Sequence, residues 1–460
     1  MLEAMRLSDL VGPLAGTLKG ADARFDSVAY DSRAIQPGGL FVALAGARTN
    51  GHDHVADARA RGATCALVEY LVADPLPQVL VHDTLRALGQ IAGLARTAYT
   101  GPMVAITGSS GKTTVKEMVA AILRQLGPVL ATQGNLNNEI GVPMTLLGLT
   151  DEHRYAVIEM GAAARGDIAY SMEIAKPTVS VLTNAGNAHV GRFGSLDNIA
   201  KAKGEIFSCL DSKGRAVINL DSPWFEKWYQ LLGKRKSYVF SLTNPTAELR
   251  AESIKLDERG CPGFKLVTLK GEVSVQLNLL GEHNVANALA AAGAALALDV
   301  ELEYIRSGLA SVQPMSGRAA SRKGLAGSIV IDDSYNASPA SVKAAIDVLA
   351  CFDGRRILVL GDMAELGEWE SDSHQEVGEH ARQQGIDALY AVGRLSALAA
   401  DRFGEGGLVF ASKKELVEAL KAKLGSDVRV LVKGSRSAGM EEVVAGLVAT
   451  LDDDNDRKVG

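Results

Sequence analysis

Residues 103–114 constrain the fold of this chain more than any other stretch, because they combine three elements in a fixed order. The first five residues, Met-Val-Ala-Ile-Thr, predict a buried strand, and the Gly-Ser-Ser-Gly that follows predicts a tight loop. Beyond this loop, apolar residues recur at steps of three and one, which places them on one face of a helix. These residues are Val115, Met118, Val119, Ile122, Leu123 and Leu126.

A strand, a glycine-rich loop and a helix N-terminus together form a phosphate site, since backbone N–H groups and the positive helix end face the anion. Lys112 adds a point charge, and the Thr113 hydroxyl suits Mg²⁺. The usual pattern has a glycine five positions before Gly111, where this chain has Ile106, so the loop is a shortened form. The alternative is a chance turn before a helix. The residues predicted to bind phosphate are Thr107, Gly108, Ser109, Ser110, Gly111, Lys112, Thr113 and Thr114.

Length and composition narrow the class of protein. A chain of 460 residues is too long for one core, so two to three domains are expected. The net charge of −6 argues against nucleic acid as the main partner, because binding a phosphate backbone needs surplus Lys and Arg. The four cysteines are widely spaced, which predicts reduced thiols in a cytoplasmic protein. No signal peptide or membrane span is predicted, and nothing indicates an obligate assembly, so we expect a monomer.

The order of the predicted elements divides the chain into three α/β domains, over residues 1–84, 85–314 and 315–460. We predict a central parallel-sheet domain that carries the phosphate loop, an N-terminal α/β domain and a C-terminal Rossmann-like domain. Within the central domain, the alternation of strands and helices changes near residue 237 to a series of short strands, which an alanine-rich helix follows. The main predicted strands are 25–30, 40–44, 65–69, 78–81, 103–107, 155–160, 178–183, 216–220, 328–332, 356–360, 388–392 and 428–432.

Polar residues stand at the carboxyl ends of two central strands. Glu159 ends one strand, and the next runs into a loop that contains His189. Ligands of open parallel sheets bind at this edge, so the two side chains are suitably placed to hold a metal beside the phosphate loop. Oxygen-rich, partly hydrated coordination suits Mg²⁺, with Thr113 and nucleotide oxygens completing the shell. The alternative is that Glu159 caps a helix and His189 is an ordinary loop histidine.

Eight motifs resemble those of the Mur ligases, ATP-dependent enzymes that form amide bonds in cell-wall precursor synthesis. The resemblance covers nearly the whole chain in the expected order. The motifs are 108–114, 135–141, 159–161, 184–189, 202–207, 281–287, 316–318 and 332–336. Within the family, four segments are most similar to members that add D-alanyl-D-alanine to a UDP-N-acetylmuramoyl-tripeptide. These segments are 134–138, 201–207, 361–367 and 432–436.

The resemblance implies ADP-forming chemistry. Transfer of the ATP γ-phosphoryl group to the tripeptide carboxylate gives an acyl phosphate, which the dipeptide amine attacks. Catalysis of phosphoryl transfer is chiefly positioning and charge neutralisation, so Lys112 and Mg²⁺ suffice without a Ser-His-Asp arrangement. The implied catalytic residues are Lys112, Glu159, His189 and Lys203.

Lys203 has a special role in this resemblance, because the equivalent lysine of these ligases commonly carries a carbamate that ligates a second Mg²⁺. An ammonium about 4 Å from Mg²⁺ is repelled by roughly 8 kcal/mol at an effective dielectric constant near 20, whereas a carbamate is attracted. The resemblance therefore predicts a metal set of Thr113, Glu159, His189 and carbamylated Lys203. The alternative is a helical surface lysine, as we expect Lys201 to be.

The resemblance also implies further ligand contacts. Asn284 contacts the adenine, Arg318 the nucleotide phosphates and Asp333 the ribose, while Tyr335 and Asn336 line the same pocket. Capping of the alanine-rich helix is the alternative for Asn284 and Asn287. For the other substrates, Ser32 and Arg33 hold the uridine diphosphate, Asn137 and Asn138 contact the nucleotide-sugar peptide, and Lys433, Ser435 and Arg436 receive the dipeptide carboxylate or, alternatively, cap the last helix.

Two other functions stay open from the sequence. A sibling ligase adds a diamino acid at the third peptide position and typically carries an Asp-Asn-Pro-Arg motif, which this chain lacks. A nucleotide-gated binding protein would need the phosphate loop but not Glu159, His189 and Lys203 together. The dipeptide-adding ligase is therefore the leading hypothesis.

Overall fold

The N-terminal part of the chain builds a five-stranded sheet with a separate two-stranded ribbon. The structure, a computed structural model, describes residues 3–46, 49–186 and 190–449. The elements of this part are β1 (Met5–Arg6), α1 (Leu7–Val11), β2 (Thr17–Lys19), β3 (Arg24–Phe25), β4 (Val28–Ala29), β5 (Leu40–Val42), α2 (Val55–Ala60), β6 (Cys65–Val68), β7 (Gln78–Leu80) and α3 (Thr84–Ala98).

The sheet order is β2-β7-β6-β5-β4, with only β2 antiparallel to its neighbour. The prediction of one strand over 25–30 was wrong, because the chain changes partners there. β3 pairs with β1, whereas β4 pairs with β5. α3 then leaves this sheet and packs against the central helices α5 and α6, whose bounds follow.

The central part contains a nine-stranded sheet covered by helices on both faces. Its strands are β8 (Met103–Thr107), β9 (Val129–Ala131), β10 (Tyr155–Glu159), β11 (Val179–Leu182), β12 (Arg215–Asn219), β13 (Lys236–Ser241), β14 (Leu249–Leu256), β15 (Pro262–Thr268) and β16 (Gly271–Gln276). Its helices are α4 (Lys112–Arg124), α5 (Gly141–Leu147), α6 (Asp167–Ala175), α7 (Val190–Phe193), α8 (Leu196–Ser208), α9 (Phe225–Leu232), α10 (His283–Leu296) and α11 (Leu302–Ser311).

The strand order β16-β15-β14-β13-β12-β11-β8-β10-β9 places β8 between β10 and β11. The loops that leave these three strands therefore meet at one edge of the sheet, as predicted from the parallel pattern. The short strands after residue 237 extend the same sheet, and β15 and β16 add to it in antiparallel orientation.

The alanine-rich helix α10 is buried against this sheet. A side chain at Gly293 would place its Cβ 2.7 Å from Val217 Cγ1, so helix and sheet pack closer than larger residues allow. The other face of α10 packs against α4, the helix that follows the phosphate loop. This explains both the small residues of α10 and the apolar face predicted for α4.

The C-terminal part forms a six-stranded sheet of order β17-β18-β22-β19-β20-β21, parallel except for β17. Its strands are β17 (Ala320–Lys323), β18 (Ile329–Asp333), β19 (Arg355–Gly361), β20 (Ala388–Val392), β21 (Gly407–Phe410) and β22 (Val428–Lys433). Its helices are α12 (Pro339–Ala350), α13 (Glu370–Gln383), α14 (Ser396–Phe403), α15 (Lys413–Lys421) and α16 (Glu441–Leu447).

The central and C-terminal parts share a hydrophobic cluster. Val190, Phe193 and Ile199 of α7 and α8 belong to the same buried cluster as Leu360 and Leu366, which lie at and beyond the end of β19. The two parts are thus packed together beside the phosphate loop. Among the helices of the described residues, none has the length and apolar composition needed to cross a membrane.

Candidate active site

The two glycines of the phosphate loop lie where a side chain would collide with the protein. Gly111 has φ +80° and caps α4, and a Cβ there would lie 2.4 Å from Asn287 Oδ1. At Gly108 a Cβ would lie 1.9 Å from Thr183 Oγ1. The positive φ of Gly111 and both close approaches explain the glycines that the sequence shows at these positions.

The segment that follows β11 supports the loop from one side. Backbone N–H groups of Ser109 and Ser110 donate to the carbonyl and side-chain oxygens of Asn184, each at 3.0 Å. Thr183 Oγ1 donates to the Ser110 carbonyl at 2.7 Å. Sequence reasoning gave Thr183 and Asn184 no role, although their place at the end of a strand beside β8 was the signal that could have found them.

Four side chains predicted from the sequence lie together at the phosphate loop. Thr113 Oγ1 donates to Glu159 Oε2 at 2.8 Å, and Asn137 Nδ2 donates to Glu159 Oε1 at 2.7 Å. Lys112 Nζ donates to the Gly108 carbonyl at 2.8 Å. Burial lowers the pKa of Lys112, although the nearby Glu159 carboxylate opposes this effect.

Glu159 does not cap a helix, so that alternative was wrong. It is the last residue of β10, and α6 begins only at Asp167 after the cap Gly166. Within the loop, Thr107 ends β8 and donates through its hydroxyl to the Met160 carbonyl at 2.7 Å. Thr114 lies in the first turn of α4.

Lys203 lies in the middle of α8 and is only 3% exposed. Burial and the positive charge of Lys112 lower its pKa to about 7, against the raising effect of Asp167, Glu159 and Glu205. The alternative of a surface lysine was therefore wrong for Lys203. It describes Lys201, whose exposed side chain pairs with Asp197. The predicted ligand His189 lies outside the described residues.

Asn284 and Asn287 are buried near the start of α10 but do not cap it, because the cap position is Glu282. Asn287 Nδ2 donates to Asn284 Oδ1 at 2.8 Å, and Asn284 Nδ2 donates to the Leu280 carbonyl. Since Asn287 also faces Gly111, this pair of carboxamides connects the phosphate loop to the start of α10. The sequence assigned only Asn284 to the site.

The C-terminal part brings Arg318 towards the loop. Its guanidinium lies 4.3 Å from the centre of the Tyr335 ring, and its charge contributes to lowering the pKa of Lys112. Asp333 Oδ2 accepts a 2.6 Å hydrogen bond from Lys433, which also donates to the Asn336 carbonyl. The structure thus pairs Lys433 with the predicted ribose ligand.

The two other C-terminal candidates have protein partners. Ser435 Oγ donates to the Asp362 carbonyl at 2.6 Å, and Arg436 pairs with Glu441 at the start of α16. Neither occupies the cap position of α16, which is Met440. Arg436 is the more exposed of the two, and it lines a cavity of about 410 Å³.

The substrate residues predicted in the first part of the chain lie apart from the phosphate loop in sequence and sheet. Arg33 is exposed and pairs with Asp31 at 2.7 Å, which lowers the pKa of Asp31 to about 2. Ser32 lies beside it in a short 3₁₀ turn.

Asn138, in the central part of the chain, has a structural contact. Its Oδ1 accepts a hydrogen bond from the Gly141 N–H at 2.9 Å, so its side chain supports the start of α5.

Comparison with known proteins identifies the family. Models of the Mur ligase family match the chain in three blocks: the catalytic domain over residues 24–96, the middle domain over 106–295 and the glutamate ligase domain over 317–436. A UDP-N-acetylmuramoyl-tripeptide–D-alanyl-D-alanine ligase of Escherichia coli is 45% identical over 96% of this chain and 98% of its own. The chain belongs to the Mur ligase family. It is an ATP-dependent, ADP-forming amide ligase.

Solved structures agree with this assignment. MurF from Acinetobacter baumannii superposes with a TM-score of 0.91 at 35% identity, covering 96% of this chain and 98% of its own. MurF from Thermotoga maritima in complex with ADP gives a TM-score of 0.83 at 29% identity, covering 91% and 96%. The three-domain architecture of the Mur ligases is thus that of this chain.

The donors of this Mur ligase fit Mg²⁺. Cis oxygen ligands of an octahedral ion with bonds of about 2.1 Å lie about 3 Å apart, and the Thr113 and Glu159 oxygens are separated by 2.8 Å. In the described part of the chain, no three His, Cys, Asp or Glu side chains form a metal cluster. Beyond any ligand outside the described residues, nucleotide oxygens and water would contribute to the shell, as Mg²⁺ prefers.

Replacement of Gly111 by alanine is expected to reduce the ligation rate by about a hundredfold or more. The added Cβ would overlap Asn287 Oδ1 and force a strained left-handed φ on alanine, so the phosphate loop would have to move. Steady-state rates and the KM for ATP measure the effect. Gly12→Ala is the control, since its Cβ meets nothing within 4 Å. An active Gly111→Ala enzyme with an unchanged KM would contradict this account of the loop.

Proposed function

We propose that this ligase joins D-alanyl-D-alanine to UDP-N-acetylmuramoyl-tripeptide in peptidoglycan precursor synthesis. It uses ATP and Mg²⁺ and acts as a monomer in the cytoplasm. The convergence of Lys112 and Thr113 at the start of α4, Glu159 at the end of β10 and the buried Lys203 of α8 carries the proposal. The substrates follow from the relative in Escherichia coli, whose name states both of them.

The chain's own residues have distinct tasks in this reaction. The backbone N–H groups of the first turn of α4 and the Lys112 side chain hold the triphosphate, and Arg318 reaches it from the C-terminal part. The γ-phosphoryl group passes to the tripeptide carboxylate, which becomes an acyl phosphate while ADP leaves. The dipeptide amine then attacks this carbonyl, loses its proton and expels phosphate. Bound Mg²⁺ would neutralise the phosphate charges, held by Thr113 and Glu159, with His189 as a further proposed ligand.

Lys203 is proposed to carry a carbamate formed from CO₂. A buried ammonium beside Lys112 is unfavourable, and the lowered pKa of Lys203 makes the neutral amine, the form that attacks CO₂, available near neutral pH. The resulting anion would be a metal ligand rather than a repelled cation, and it would offset the charge of Lys112.

The proposal includes three domains, over residues 1–84, 85–314 and 315–460, and the remaining ligand contacts are divided among them. Asn284 contacts the adenine, and Asp333, Tyr335 and Asn336 line the ribose side. Ser32 and Arg33 bind the uridine diphosphate, which requires Arg33 to exchange Asp31 for pyrophosphate. Asn137 and Asn138 face the nucleotide-sugar peptide, and Lys433, Ser435 and Arg436 serve the dipeptide carboxylate.

Release of ADP by the purified protein tests the function. We expect turnover only when the nucleotide-sugar tripeptide and D-alanyl-D-alanine are both present, with one ADP formed per amide bond. Panels of single amino acids and other dipeptides serve as acceptor controls. Turnover with a nucleotide-sugar dipeptide and a diamino acid would indicate the sibling ligase. Steady ATP hydrolysis without either substrate would indicate a nucleotide-gated binding protein.

A further inference from the structure

Glu159 lies where the hydrogen-bonded ladder of the central sheet ends on one side. The edge strand β9 runs parallel to β10 but ends at Ala131, opposite Val157. On the β8 side the ladder continues, since the Met160 N–H donates to the Ile106 carbonyl. On the β9 side the strand stops two residues before Glu159. The backbone that carries the carboxylate therefore needs support from outside the ladder.

Thr132 supplies this support. Its backbone N–H donates to the Val157 carbonyl at 3.0 Å, which continues the direction of β9 by one residue. Its side-chain oxygen then accepts the Glu159 N–H at 2.9 Å. Thr132 is 1% exposed, so water does not compete for this contact. The Thr132 hydroxyl thus accepts the N–H that a carbonyl of β9 would accept if that strand continued, at the position where Glu159 ends β10.

Lys116 holds Thr132 in turn. Its Nζ donates to the Thr132 carbonyl at 2.6 Å and lies 2.8 Å from Glu117 Oε1. The side chain is only 2% exposed, although it lies on α4 one turn beyond Lys112. Burial of an ammonium is costly unless it is paired and hydrogen-bonded, so a lysine at this position has to be explained by what it binds.

The loop after Thr132 closes around the same strand end. Asn137 donates to Glu159 Oε1 through Nδ2 and accepts the Gly161 N–H through its carbonyl, both at 2.7 Å. A Cβ at Gly161 would lie 2.8 Å from Asn137 Oδ1, so the loop has no freedom there. Lys116 thus fixes Thr132, which precedes this loop, and Asn137 within the loop contacts the Glu159 carboxylate.

We propose that Thr132 and Lys116 are positioning residues for the metal-binding carboxylate of Glu159. Lys116 fixes the Thr132 carbonyl, the Thr132 hydroxyl fixes the Glu159 backbone, and the carboxylate then points at Thr113 Oγ1. This inference rests on the proposed role of Glu159 as a metal ligand. Both residues act through Glu159, Thr132 directly and Lys116 by way of Thr132. Groups that orient metal ligands typically change metal affinity ten- to a hundredfold when removed.

The test measures metal binding directly, with Mn²⁺ as the probe. Electron paramagnetic resonance gives the Mn²⁺ affinity of the full-length protein with a nonhydrolysable ATP analogue. Thr132→Val keeps the shape but removes the hydroxyl, and we expect about tenfold weaker Mn²⁺ binding. Thr132→Ser keeps the hydroxyl and is expected to stay within about twofold of the wild type. Lys116→Met removes the ammonium and should weaken Mn²⁺ binding in the same direction.

Thr145→Val is the matched control, because Thr145 is also buried but its hydroxyl donates only to the Gly141 carbonyl of its own helix. It is expected to lower the melting temperature without changing Mn²⁺ affinity. If Thr132→Val and Lys116→Met both bind Mn²⁺ as the wild type does, the proposal is overturned.

Glu159→Gln separates this inference from the function on which it rests. If this variant binds Mn²⁺ as the wild type does, the metal role of Glu159 fails and the positioning proposal fails with it. If Glu159→Gln loses Mn²⁺ while the Thr132 and Lys116 variants keep it, only the positioning proposal fails. The expected result is weaker Mn²⁺ binding by Glu159→Gln, Thr132→Val and Lys116→Met, with Thr132→Ser binding nearly as the wild type does.

Discussion

Replacement of Lys203 by alanine is expected to reduce the ligation rate about a thousandfold, and a short carboxylic acid such as acetate should restore part of it. The side chain is 3% exposed, and its pKa is lowered to about 7 by burial and by Lys112. Alanine removes the proposed carbamate and leaves a space beside the proposed metal site that a small carboxylate can fill. Rates of ADP release with increasing acetate measure the recovery.

Lys201→Ala is the control for this experiment. Lys201 lies two residues earlier on α8 but is exposed and pairs with Asp197, a contact worth a few tenths of a kcal/mol. Its removal should leave the ligation rate within about twofold of the wild type. Full activity of Lys203→Ala without added acid would exclude the carbamate. Failure of acetate and of formate to restore any activity would also count against it.

Replacement of Lys112 by methionine is expected to lower kcat by about a hundred- to a thousandfold. Methionine keeps much of the length and apolar stem but removes the charge that is proposed to neutralise the triphosphate as the γ-phosphoryl group is transferred. Among the described residues, the hydrogen bond that Lys112 Nζ donates runs to the Gly108 carbonyl, so only this contact is lost and the loop itself should persist. Single-turnover rates and the melting temperature distinguish lost chemistry from lost folding.

Lys343→Met is the matched control for charge removal, because Lys343 pairs with Glu376 on the surface of the C-terminal part. Its replacement should change neither kcat nor the KM for ATP. A Lys112→Met enzyme with an undiminished kcat would show that the loop positions ATP without this charge. The proposed function would then need another source of charge neutralisation.

Local patterns in the sequence predicted much of the central part. The strand at 103–107, the loop and α4 were confirmed, because a buried strand, glycines and helical periodicity depend on neighbours close in sequence. The alternation of strands and helices likewise predicted parallel sheets in the central and C-terminal parts. The strand predicted over 25–30 was wrong, since two different partner strands divide it and no local signal reports partners.

The candidate site, like the fold, could be predicted only in part from the sequence. Residue chemistry at strand ends suggested Glu159 as a metal ligand, a role that stays a proposal. Thr132 and Lys116 gave no signal, because a threonine or lysine has many ordinary places in a sequence, and for Thr183 the only signal was its place at a strand end. Their importance comes from contacts with groups 16 to 76 positions away along the chain.

The sequence by itself determined that a phosphate loop joins a buried strand to an amphipathic helix, because backbone geometry and residue type decide such a motif over a dozen positions. Only the tertiary structure decided that β8 lies between β10 and β11, and this arrangement brings Thr113, Glu159 and the Asn184 segment together. Burial of Lys203 was likewise decided by the packing of α8 between two hydrophobic clusters. Strand order and burial depend on free energies summed over the whole fold, which no single segment contains.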